Sequence, residues 1–86
     1  MDNIDAQDQK VRLLVSNVSD GQCMVSVEPL GGQVAVPKGE VLTVEVSGPG
    51  KGIVEVSYAR NGLIICEWDG ATTLVMNRRG EIIKQS

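Results

Sequence analysis

From residue 10 to residue 84 the chain is a train of short, valine-rich runs in which apolar and polar residues alternate. Each run closes on a turn centred on glycine, proline or asparagine. A period of two puts one row of side chains on each face of an extended strand, and no stretch has the spacing of an amphipathic helix. Eight runs follow: 10–18, 23–28, 33–36, 41–47, 53–59, 63–68, 71–77 and 81–84. In the first, Val11, Leu13 and Val15 share a face; in the second, Cys23, Val25 and Val27 oppose Met24, Ser26 and Glu28. The run 33–36 lies between Pro29 and Pro37, and proline cannot donate to a ladder, so this strand belongs at a sheet edge. Short strands at this spacing predict one antiparallel β-sandwich of seven or eight strands, with a flattened β-barrel as the alternative.

The turns carry their own chemistry. Pro37-Lys38-Gly39-Glu40 has the proline and glycine positions of a type II turn. Asn61-Gly62 predicts a two-residue type I′ hairpin with Gly62 at positive φ, Tyr58 opposite Ile65 and Ser57 opposite Cys66. Asp69-Gly70 is a second tight turn, and Asn77-Arg78-Arg79-Gly80 fits a type I turn ending in a glycine bulge. Gly48-Pro49-Gly50-Lys51-Gly52 reads as a hairpin loop. A phosphate-binding loop needs a following helix, and here a strand follows.

At 86 residues the chain is a single domain, 10–86, preceded by an acidic and polar segment, 1–9, expected to be a disordered tail. Its 42% apolar content suffices for one thin core, built from valine, isoleucine and leucine because Tyr58 and Trp68 are the only aromatics. The formal charge of −3 and pI near 4.7 argue against nucleic-acid binding, which depends on clustered cations. No apolar run reaches the length of a membrane span and no leader pattern is present, so a soluble, cytoplasmic protein is expected. In that compartment Cys23 and Cys66 read as reduced, buried thiols, a disulfide being the alternative.

With no histidine the usual general base, the imidazole metal ligand and the serine triad are missing. Cys66 has acidic neighbours, Glu67 and Asp69, which oppose thiolate formation. Those two carboxylates fall far short of the oxygens a calcium ion requires. Neither a catalytic residue, a cofactor nor a metal is expected. Trp68 follows the second cysteine instead of lying between the two, so the immunoglobulin signature fails as well.

Two surface features remain. If successive strands are antiparallel, alternate turns share an end, and Lys38, Arg60, Arg78 and Arg79 collect at one end against Asp20 and Glu40. These are ordinary charged turns or a docking site for an acidic partner. The second feature is the hairpin around Asn61-Gly62. One face carries Val54, Val56, Tyr58, Leu63 and Ile65, a core face; the other carries Ile64, Cys66 and Trp68 against Ala59, Ser57 and Glu55. Only one side of a sandwich strand faces the core, so the Ile64, Cys66 and Trp68 stripe needs cover from a loop, the tail or a partner chain.

Val27-Glu28-Pro29-Leu30-Gly31-Gly32, the Pro37-Lys38-Gly39-Glu40 turn and the late Trp68-Asp69-Gly70 together resemble a group of small uncharacterised bacterial all-β proteins. Those carry an EPxG segment, a PxGE turn and a late WxG, with an aromatic where this chain has Leu30. The resemblance implies one compact β domain and no catalytic activity. The favoured function is a non-catalytic protein-interaction domain, a homodimer or a partner-protein binder through Ile64, Cys66 and Trp68. A small-molecule or carbohydrate binder, with Trp68 stacked on a sugar ring, is the alternative, and an enzyme comes third.

Overall fold

The computed structural model describes residues 8–29 and 31–85. Among these residues eight strands form in the expected order: β1 (Asp8–Ser16), β2 (Cys23–Glu28), β3 (Gln33–Val36), β4 (Val41–Pro49), β5 (Glu55–Ala59), β6 (Gly62–Cys66), β7 (Thr72–Met76) and β8 (Ile82–Gln85). Asp8 and Gln9 thus belong to β1; the remainder of the expected tail, 1–7, lies outside the described residues. The strands make two four-stranded sheets, ordered β1-β4-β7-β8 and β3-β2-β6-β5, and neither closes into a barrel.

The two sheets share one core. Val25, Val27 and Ile65 from the second sheet meet Val44, Val46 and Val75 from the first, all fully buried. Branched aliphatic side chains standing on two pleated faces explain how a chain without phenylalanine fills its interior. The expectation of a wholly antiparallel fold is corrected at the centre of the second sheet, where β2 and β6 run parallel. Alternation assigns a residue to a face but says nothing about which strand lies beside it.

Four connections pass between the two sheets and three stay within one. β1 to β2, β3 to β4, β4 to β5 and β6 to β7 cross from one sheet to the other, whereas β2–β3, β5–β6 and β7–β8 are hairpins. The glycine-rich segment 48–52 is therefore a crossover and not a hairpin loop. The Pro37 turn forms as expected: Glu40 N–H donates to Pro37 O at 3.0 Å with Gly39 at a φ of +81°. At the last turn Gly80 N–H donates to Asn77 O at 3.0 Å, and Gly80 adopts a φ of +83°.

One polar side chain seals the end where the β1–β2, β3–β4 and β5–β6 turns gather. Asn17 Nδ2 donates to Gly21 O and Val36 O, each at 2.8 Å, and its Oδ1 accepts from the Ser19 amide and hydroxyl. Its backbone N–H donates to Glu40 O while its carbonyl accepts from Gly39 N–H. Asn17 is buried with its donors and acceptors paired, which is the condition for a polar group inside a small domain. It continues the inward row of Val11, Leu13 and Val15, so the signal for it was a polar residue in a core position.

Candidate interaction surface

β1 crosses the second sheet on a diagonal. Near its start Gln9 Oε1 accepts from Gly52 N–H at 2.8 Å, just ahead of β5; beyond its end Asn17 reaches Val36, at the far edge of that sheet. Cover over β5 therefore falls away along the strand. Val54, just before β5, packs against the core, Val56 is 49% exposed and Tyr58 is 92% exposed. These three share the inward row with Leu63 and Ile65, so Tyr58 is corrected from core residue to open surface. The space left between the end of β1 and the β5–β6 hairpin is a groove of about 550 Å³. Val15, Cys23, Tyr58, Arg60, Asn61 and Leu63 are among its lining residues.

The hairpin itself departs from expectation. Tyr58 pairs with Leu63 and Ser57 with Ile64, so the register is displaced by two residues and the turn is Arg60-Asn61. An even displacement leaves every side chain on its expected face. Both turn residues have negative φ, which rules out type I′. Gly62 stands at a φ of +153°, and a Cβ there would fall 1.8 Å from Met24 O. Its glycine serves the close parallel approach of β6 to β2.

Ile64 and Cys66 lie half-buried on the outer face, each flanked by small or acidic neighbours in register: Ser26 and Ser57 beside Ile64, Glu28 and Glu55 beside Cys66. Trp68 is separated from them. β6 ends at Cys66, level with the last residue of β2, and the chain turns through Trp68-Asp69-Gly70-Ala71. The half-buried indole folds over Gly52, packs against the core and donates from Nε1 to Pro49 O at 3.1 Å. The expected outer stripe of three is thus broken, and the β4–β5 crossover covers Trp68 alone of the three.

Both cysteines are free and half-buried, not fully buried. Cys23 faces the core at the start of β2, whereas Cys66 sits on the outer face opposite Glu28, at the far end of that strand. An intrachain bridge is therefore excluded by register.

Lys38, Arg60, Arg78 and Arg79 do fall at one end, because all their turns lie there. Glu81 joins Asp20 and Glu40 among them, and its carboxylate approaches Arg79 Nε at 3.8 Å. Arg78 Nη2 donates to Gly39 O at 3.3 Å. The basic character of this end is weaker than the turn sequences alone suggest.

At the other end Thr73, buried in the core, donates its hydroxyl to the Glu67 carboxylate. On the outer face of the first sheet Arg12 donates to Glu45 Oε2 from Nη2 at 2.8 Å and from Nε at 3.2 Å. That bond holds the Glu45 carboxyl below its ordinary value; partial desolvation opposes the shift, and the charges of Lys10 and Arg12 add to it. Among the described residues no three His, Cys, Asp or Glu side chains gather where they could hold a metal ion, and no helix is long and apolar enough to cross a membrane. No family model, curated protein or solved structure matches the chain.

Proposed function

We propose that this protein is a non-catalytic protein-interaction domain, working in the cytoplasm, whose docking surface is the uncovered end of β5. The observation that supports it is the loss of cover along one inward row, from packed Val54 to Tyr58 at 92% exposure. Val18, 94% exposed, extends the apolar surface across the groove. Exposed apolar side chains beside an edge strand mark a contact surface in a small domain, since tyrosine is enriched among residues that dominate binding energy.

A photoreactive phenylalanine analogue in place of Tyr58, expressed in the native host, should form protein adducts. The same analogue in place of Ala35, on the opposite edge of the sheet, should form none. Adducts at neither position, or equally at both, would overturn this reading.

The groove supports a second reading, a small-molecule or carbohydrate binder. Tyr58 offers an aromatic face there, beside Arg60 and Asn61, and takes the stacking role first expected of Trp68. Chemical-shift changes confined to these residues on titration with a glycan library, without protein adducts, would favour it.

A further inference from the structure

We infer that the partner is a second copy of this chain, joined through β5 to β5 in antiparallel register with Ser57 on the two-fold axis. This rests on the interaction reading above and names its occupant.

Among the described residues the two sheets have four edge strands, and three resist pairing with their own copy. β3 is four residues long and bracketed by prolines. β8 turns Lys84 inward, where its alkyl chain lies across Gly32, and an inward charge on an edge strand opposes further addition. β1 is centred on Arg12, so antiparallel self-pairing would set Arg12 against its own copy on one face.

β5 has no such obstacle. Centred on Ser57, the pairing sets Ser57 against Ser57, Val56 against Tyr58 and Glu55 against Ala59. No like charges oppose, and an aromatic residue meets a β-branched one twice, a favourable cross-strand combination. Arg60, one residue beyond the strand, falls opposite the other copy's Val54, so the ends of the pairing oppose no like charges either. Residues that oppose one another here share parity, so both inward faces lie on the same side and the second sheets of two copies continue as one. The groove beside Tyr58 leaves room on that side for the other copy's Val56, which this register sets opposite it. A two-fold contact needs only this one self-complementary edge.

Sedimentation of the full chain should show a dimer at micromolar concentration. Val56→Lys, at a half-exposed position, should keep the fold by circular dichroism and weaken the dimer roughly tenfold or more. With Cys23→Ser and Cys66→Ser in place, Ser57→Cys should form a disulfide-linked dimer on mild oxidation, and Ala35→Cys should not. A wild-type chain that sediments as a monomer at high micromolar concentration overturns the proposal, and so does equal cross-linking at positions 57 and 35. A monomer that still gives adducts to another protein from position 58 overturns self-pairing alone; a monomer without adducts overturns the interaction reading with it.

Discussion

β3 and β5 are the two edges of one sheet, and they end in opposite ways. β3 lies between prolines, its last residue Val36 is fully buried, and the Val36 carbonyl is held by the Asn17 side chain. β5 has no proline within or beside it, and its inward row opens progressively to solvent until Tyr58. An edge is a row of unpaired backbone groups, and soluble proteins blunt it locally by means that do not spread to the next edge. The contrast therefore localises where this sheet can accept another strand. It also separates the residues that hold the domain together from those that are free to contact something else.

The largest effect should come from Gly62→Val, which acts on the strand that carries β5. β5 reaches the rest of its sheet only through β6, and β6 lies against β2 with room for no Cβ at Gly62, 1.8 Å from Met24 O. A branched side chain there must displace the backbone of the parallel pair. Urea unfolding should show a loss of about 3 kcal/mol or more. Wild-type stability would mean that the approach of β6 to β2 is not the constraint on this glycine.

Asn17→Ala and Tyr58→Ser sharpen the contrast between the two edges from either side. The first leaves Val36 O without its side-chain donor and removes the acceptor of Ser19, so stability should fall by about 2 kcal/mol. The second removes a ring that is almost wholly in water, and the monomer should change by no more than about 0.5 kcal/mol. Thermal melts of both at low concentration test the pair. A large loss in Tyr58→Ser with little in Asn17→Ala would reverse the assignment of structural and free edge.

Much of this was legible along the chain, and the limits have physical causes. β2 and β3 occupy the residues that alternation assigns to them, and the prolines correctly place β3 at an edge. The glycines at 39 and 80 sit in the turns their spacing demands. These are local properties, readable within a few residues. The parallel pairing of β2 with β6, the reason for Gly62 and the position of Trp68 all depend on strands distant in sequence. Trp68 leaves the alternating pattern because β2 supplies no partner beyond Glu28. Tyr58 occupies a core position by parity and is nonetheless exposed, because parity cannot show that β1 crosses away from it. Of the expected contact stripe, Ile64 and Cys66 remain together on the outer face, while Trp68 belongs to the packing of the opposite end.

The smallest effect concerns β1, the edge that lies nearest the start of β5 and differs from it by carrying two cations, Lys10 and Arg12. Glu45, on the neighbouring strand β4, accepts from Arg12 and stands 3.9 Å from Lys10, so these two β1 cations share one carboxylate. The fold lowers the Glu45 carboxyl below its ordinary value of 4.5, chiefly through the Arg12 bond. A carboxyl lowered by folding contributes stability that is fully present above its unfolded value and is lost as pH falls through the folded one. Glu45→Gln should therefore melt slightly lower than wild type near neutral pH, and the two curves should converge as pH falls through the lowered value of the folded carboxyl. Arg12 and Lys10 are both exposed, so about 1 M salt should shrink the neutral-pH difference as well. A difference that persists in acid and in salt would assign Glu45 a packing role, and β1 would then be an edge held by shape and not by charge.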